Sequence, residues 1–122
     1  MSKLVLVLRI LLGALLIIFG MNKFIEFIPA LEFTNPDAIV FFGALADSYV
    51  LKTVGLIEVL VGFLLLINMS VPFALVVLAP ISINIILFHI ILDPKNIGPA
   101  IFVFLVNTFL IYTHWDRYKP LF

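Results

Sequence analysis

Several polar side chains lie within long apolar stretches of this sequence, and they are the residues whose types could do chemistry. A charge in the hydrocarbon core of a bilayer costs about 2.5–3.5 kcal/mol on insertion scales, so a charge kept there commonly faces other protein groups and serves a function. We therefore predict ligand-binding roles for six such residues. They are Arg9, Asn22, Lys23, Glu58, Asn84 and His89.

Glu58 shares one helical face with two glycines. Gly55 lies three residues before it and Gly62 four residues after it, spacings that place all three on the same side of a helix. Because glycines let two helix backbones approach closely, this face is expected to pack on another helix and not on lipid.

Arg9 lies on a similar face of the first apolar stretch, together with Gly13 and Gly20. Two alternatives follow for Glu58. It pairs with Arg9, the cation that helix rise brings nearest, or it stays neutral while Arg9 extends to the membrane surface.

Asn84 is expected at nearly the same depth as Glu58, since the two lie at similar distances from a tight turn between their helices. Pro80, one turn earlier, leaves the carbonyl of Val76 without its helical hydrogen bond and predicts a kink. Either Asn84 joins two helices by hydrogen bonding Glu58 or the loosened backbone, or these groups form a ligand, quinone or proton site.

A second polar cluster is predicted nearer one membrane face, from Asn22, Lys23, His89 and Asp93. His89 and His114 fall at opposite ends of their helices, so they cannot be the two axial ligands of one haem. Beside Trp115, His114 is predicted to be an interfacial anchor. No metal-ligand spacing occurs, and neither a metal nor a haem is expected.

The composition decides which elements must carry these residues. Of the 122 residues, 65% are hydrophobic and 11% are charged, far from the balance of a soluble domain. The formal net charge is zero, which argues against nucleic-acid binding. Cysteine is absent, which excludes thiol catalysis and Cys-ligated iron–sulfur clusters. With no nucleophile constellation either, the sequence favours a protein that is not an enzyme.

Four apolar segments are long enough to cross a bilayer, which needs about 20 residues. The fold class predicted is therefore all-α, a single transmembrane domain over residues 1–122 in which four helices run up, down, up and down. The segments are Leu4 to Phe24, Tyr49 to Ile67, Val71 to Leu92 and Pro99 to Trp115.

The connections between the segments support this arrangement. Asn68 to Ser70 is so short that the second and third helices must be antiparallel neighbours. Pro99 marks the start of the fourth helix. In the longest connection, Asn35 and Pro36 predict the N-terminus of a short interfacial or re-entrant helix over the apolar residues Ala38 to Ala46.

The distribution of Lys and Arg favours a cytoplasmic location for both termini, since positive charges mark the cytoplasmic side. Four Lys and Arg residues lie at the ends of the segments on the side where the two termini lie, and three lie on the other side. The first four are Lys3, Arg9, Arg117 and Lys119, and the other three are Lys23, Lys52 and Lys95.

Several short motifs of the chain together resemble the DoxX and DoxX-like family of small bacterial membrane proteins. The first segment carries Gly20-Met21-Asn22-Lys23-Phe24, the second carries Glu58 within Ile57-Glu58-Val59, and the third runs from Val71-Pro72-Phe73-Ala74 to Asn84 and Phe88-His89.

The resemblance implies a four-helix protein of the bacterial cytoplasmic membrane. Members are linked to quinone-dependent sulfur oxidation and to membrane redox complexes, and a related group to receptor assembly. The matching motif residues are Asn22, Lys23, Glu58, Asn84 and His89.

Two classes of function remain open. The first is a non-enzymatic accessory or ligand-binding subunit that holds a quinone, a lipid or another apolar molecule near Glu58 and Asn84 and serves a membrane redox partner. The second is a small proton-linked transporter or permease, expected to be a homo-oligomer because four short helices barely enclose a pathway; a membrane-protein assembly factor is a further alternative.

Overall fold

The regular secondary structure is helical throughout the computed structural model, which describes residues 2–122 and contains no strand in that range. This confirms the all-α prediction. The α-helices are α1 (Ser2–Asn22), α2 (Pro36–Asp47), α3 (Val50–Ile67), α4 (Val71–Leu92), α5 (Gly98–Thr113) and α6 (Trp115–Tyr118), with 3-10 turns at Pro94–Asn96 and Lys119–Leu121.

Three of the helices, α1, α3 and α4, are long and apolar enough to cross a membrane. A fourth candidate combines α5 with the helical turns that follow it, and this pair bends by 74°. At 16 residues α5 is about 24 Å long by helix rise, shorter than the roughly 30 Å hydrocarbon core. Residues 2–122 thus contain three helices that could cross a membrane, or up to four candidates if the bent pair is one span.

The turn between α3 and α4 is as tight as predicted. Asn68 and Ser70 both adopt left-handed backbone conformations, with φ of 56° and 51°. The N–H of Met69 donates to the carbonyl of Leu64 at 3.0 Å, which closes the end of α3. This turn confirms that α3 and α4 are antiparallel neighbours in contact.

The predicted helix in the long connection is present as α2. The side chain of Asn35 accepts a hydrogen bond from the N–H of Asp37 at 2.9 Å, and Pro36 occupies the first helical position. Both residues act as the sequence pattern indicates. The N-cap oxygen accepts from a backbone N–H that has no helical partner, and a proline at the first helical position removes no helical hydrogen bond.

The most extensive helix contact is between α1 and α3, along the two glycine faces. A Cβ placed on Gly62 would lie 2.6 Å from the carbonyl oxygen of Gly13, and one on Gly20 would lie 2.7 Å from the carbonyl oxygen of Gly55. Glycine is thus needed for the two backbones to touch. The predicted packing faces are confirmed, and each is the partner of the other.

The bundle has two ends. The end near α2, called the α2 end, contains Lys23 and the start of α5. The opposite end, called the turn end, contains the turn at residues 68–70 and the start of α1. The apolar core lies between them, where α1, α3, α4 and α5 meet. Its largest fully buried side chains are Leu12, Leu16, Leu65, Leu75, Leu78 and Leu110.

Candidate functional site

Glu58 forms an ion pair with Lys23. Lys23 Nζ lies 2.6 Å from Glu58 Oε1, and the two side chains are 20% and 3% exposed. The contact does not have hydrogen-bond geometry at Oε1, so the attraction is mainly that of two opposite charges. The ammonium also donates to the carbonyl of Phe19 at 3.4 Å.

Of the two alternatives for Glu58, pairing with Arg9 is wrong, since the cation beside Glu58 is Lys23. Arg9 is buried at the turn end, where its Nη1 donates to the carbonyl of Leu65. Leu65 is in the last turn of α3, whose carbonyls lack helical partners and attract positive charge. The glycine contacts explain the difference, because they set Arg9 level with the end of α3 and Lys23 one turn from Glu58.

The predicted convergence of Glu58 and Asn84 is also wrong. Asn84 is on an exposed face of α4, and its Nδ2 donates to the carbonyl of Pro80 at 2.8 Å. Glu58 faces α1 instead. The two residues are at comparable heights in the bundle, but the rotation of α4 about its axis turns Asn84 away from α3.

A buried polar contact that was not predicted from the sequence joins α4 to α5. Asn107 Oδ1 accepts from the hydroxyl of Ser82 at 2.9 Å, and Asn107 Nδ2 donates to the carbonyl of Leu75 at 3.1 Å. Both side chains are 2% exposed. The signal in the sequence was an amide and a hydroxyl within apolar segments, but neither flanking glycines nor a charge distinguished them from other polar residues.

The predicted cluster of Asn22, Lys23, His89 and Asp93 separates into different arrangements. Asn22 Oδ1 accepts from the N–H groups of residues 27 and 28 at 2.8 and 2.9 Å and so stabilises the chain leaving α1. Lys23 turns to Glu58. Only His89 and Asp93 meet, with 3.2 Å between His89 Nδ1 and Asp93 Oδ2.

His89 and Asp93 form a small polar group at the end of α4. Asp93 is 3% exposed, and its two carboxylate oxygens accept from Asn96 Nδ2 at 3.0 and 2.9 Å. The ring of Phe88 contacts that of His89 edge to face, with centroids 5.2 Å apart, and it also contacts aromatic rings of α2 and the segment before it. The ring contacts of Phe88 therefore attach α2 to α4.

An apolar groove of about 320 Å³ runs between α1 and α5 and opens at the side of the bundle. From α1 it is lined by Leu11, Leu15 and Phe19, which repeat every four residues and so form one row along the helix. Lys23 follows four residues after Phe19, just beyond the end of α1, and its ammonium donates to the carbonyl of Phe19, the last α1 residue that lines the groove.

A second apolar groove, of about 310 Å³, lies between α3 and α4. It is lined by apolar residues alone, and among them are Leu60 and Phe73. Within residues 2–122 there is no group of three or more His, Cys, Asp or Glu side chains placed to hold a metal ion.

Comparison of the chain with protein-family models, with curated proteins and with solved structures finds no match.

Proposed function

We propose that this chain is a non-enzymatic, ligand-binding subunit of a membrane assembly, and that its ligand is a lipophilic molecule with an oxygen-bearing head group, such as a quinone or a lipid. The proposal includes four spans in the bacterial cytoplasmic membrane, with both termini in the cytoplasm. A membrane redox system is the partner that this ligand class favours.

The observation that carries the proposal is that Phe19, which lines the apolar groove, also offers its carbonyl to the ammonium of Lys23 at 3.4 Å. A ligand tail in the groove would contact Leu11, Leu15 and Phe19, and its head would then reach the ammonium of Lys23. Ligand sites are typically apolar clefts with a few polar groups that fix orientation, and their volumes begin at about 300 Å³.

The chemistry of Lys23 suits an oxygen acceptor. An ammonium has three N–H donors, and one of them goes to the carbonyl of Phe19, while Glu58 Oε1 lies beside it as the opposite charge. N–H donors therefore remain for a quinone carbonyl, a phosphate or a carboxylate. Glu58 fixes the position of the ammonium, because a buried carboxylate strongly attracts a nearby cation.

The groove also opens in a suitable direction. Its opening is at the side of the bundle, where a span faces lipid, so a lipophilic molecule could enter from the bilayer without crossing water. This favours a ligand drawn from the membrane over a transported polar solute.

The test is ligand retention by the purified protein. Mass spectrometry should detect a co-purified lipophilic molecule, and titration with decyl-benzoquinone and with short-chain phosphatidylglycerol should show which head group binds. Leu11→Trp fills the groove from a position that is 50% exposed, and Lys23→Met removes the head contact. Both variants should lose the ligand.

The matched control is Leu60→Trp, which fills the second groove from a position that is 55% exposed. This variant should retain the ligand. Equal retention by the wild type, Leu11→Trp and Lys23→Met, or equal loss in Leu60→Trp, would refute the site.

A further inference from the structure

Asn84 presents an amide on the outside of the bundle near the middle of a span. It lies about 4 Å from the midpoint of α4 by helix rise. Its Nδ2 donates to the carbonyl of Pro80 on its own helix, while its Oδ1 receives no hydrogen bond from residues 2–122. In hydrocarbon, where no water can replace the missing partner, an unsatisfied amide oxygen is costly.

The surrounding face of α4 is apolar and faces away from the other helices. Its residues lie at the three-, four- and seven-residue spacings of a helix contact surface. They are Val76, Ile83, Leu87 and Ile90, with exposed fractions of 43%, 45%, 45% and 54%. The opposite side of α4, which includes Leu75, Leu78 and Ser82, is already buried in the bundle.

We propose that this face of α4 is the interface of a homodimer in the membrane, in which Asn84 of one protomer hydrogen bonds Asn84 of its partner. An amide carries both a donor and an acceptor, so two identical amides satisfy each other. The partner needed here must offer an amide or similar group at one depth within an otherwise apolar surface, and a second copy has this pattern by construction.

Symmetry in the membrane makes the match geometrically direct. Two copies of one chain insert with the same orientation, so their α4 helices run parallel and the two-fold axis lies along the membrane normal. Every residue on the contact line then meets its own counterpart at the same depth. Asn84 meets Asn84, and Leu87 meets Leu87 one turn away.

The interface is separate from the proposed ligand site, which lies between α1 and α5. It would hold if the chain bound no lipophilic molecule, and its failure would leave that site untouched.

Disulfide crosslinking tests the interface cleanly because the chain has no cysteine of its own. Leu87→Cys should crosslink two copies in native membranes. Leu105→Cys, on α5 and 58% exposed, is the matched control and should not. Equal crosslinking of the two variants, or none in Leu87→Cys, would overturn the proposal.

The contribution of the amide is measured by resonance energy transfer between labelled copies in vesicles. Asn84→Leu should raise the dissociation constant about 5- to 30-fold, the range expected when a hydrogen bond between membrane helices is lost. Asn84→Gln keeps an amide and should restore much of the association. An unchanged constant in Asn84→Leu, or a chain that is monomeric and instead needs Asn84 to bind a different protein, would overturn the dimer.

Discussion

Lys23 follows the last residue of α1, yet its ammonium lies 2.6 Å from the carboxylate of Glu58 at the middle of α3. The lysine reaches back along α1 because Gly55 leaves room for its Cβ and Cδ against α3. A side chain at the end of one helix thus neutralises a carboxylate near the centre of another. This pair makes Glu58 acceptable in an apolar bundle.

The ion pair predicts an asymmetric response to mutation. Glu58→Gln removes the buried carboxylate and leaves an ammonium that can move towards solvent, since it is 20% exposed. Lys23→Gln leaves a buried carboxylate that cannot move, so it should cost more of the free energy of unfolding, towards the 3–5 kcal/mol typical of a broken buried pair. Unfolding of the two single variants and the double variant in the same detergent measures both effects.

The double variant decides whether the pair is coupled. We expect it to be more stable than Lys23→Gln alone, with a coupling free energy of about 1 kcal/mol or more. Strict additivity of the two single effects would contradict the pair. Arg9→Gln is the matched control and should show no coupling with Glu58→Gln.

The glycine contact predicts a steric effect that depends on position. Gly62→Ala should destabilise the protein by about 1–3 kcal/mol, because the new Cβ would lie 2.6 Å from a backbone oxygen that can move only with α1. Gly43→Ala is the control, since nothing lies within 4 Å of the Cβ added there. It should be neutral or stabilising by up to about 1 kcal/mol. Similar effects at both positions would contradict the close backbone contact.

The contact between Ser82 and Asn107 predicts a cost for removing a buried amide. Asn107→Leu leaves the carbonyl of Leu75 without its side-chain donor and should lower the free energy of unfolding by about 1–2 kcal/mol. Asn84→Leu, measured on the monomer in detergent, is the control and should have little effect. If the exposed amide proved the more costly to remove, the orientation of α4 would be wrong.

Tyr118 predicts a hydrogen-bond contribution to stability at the turn end of the bundle. Its hydroxyl donates to the carbonyl of Pro72 at 2.7 Å, and the residue is 5% exposed. This hydrogen bond joins α6 to the first turn of α4, so its removal should destabilise the protein.

Tyr118→Phe isolates this contribution. It should lower the free energy of unfolding by about 1 kcal/mol, the typical net contribution of one hydrogen bond. Thermal unfolding in one detergent measures it. The control is Tyr112→Phe, at a position that is 72% exposed, and a wild-type response from Tyr118→Phe would exclude the contact with Pro72.

The proposed topology predicts the side of the membrane on which each connection lies. Reporter fusions after Asn35 and at the C-terminus should give opposite answers, with the C-terminus cytoplasmic. A fusion after Met69, in the turn between α3 and α4, should match the C-terminus. The same location for Asn35 and the C-terminus would show that α5 and the turns after it do not make a fourth span.

The sequence by itself determined the features that depend on neighbouring residues. Apolar length predicted the three long helices, Asn35 and Pro36 predicted the start of α2, and the short link at residues 68–70 predicted the antiparallel pair. The spacing of Gly55, Glu58 and Gly62 predicted a packing face. Each of these follows from helix periodicity or backbone chemistry within a few residues of the feature itself.

Only the tertiary structure decided which polar groups meet. Periodicity places a side chain on a face of its own helix, but the rotation and the lengthwise offset between two helices come from packing. The glycine contacts between α1 and α3 set the lengthwise offset of these helices, so that Glu58 pairs with Lys23 and not with Arg9. The rotation of α4 buried Ser82 beside Asn107 and turned Asn84 outward, because an offset of one residue turns a helical side chain by about 100°.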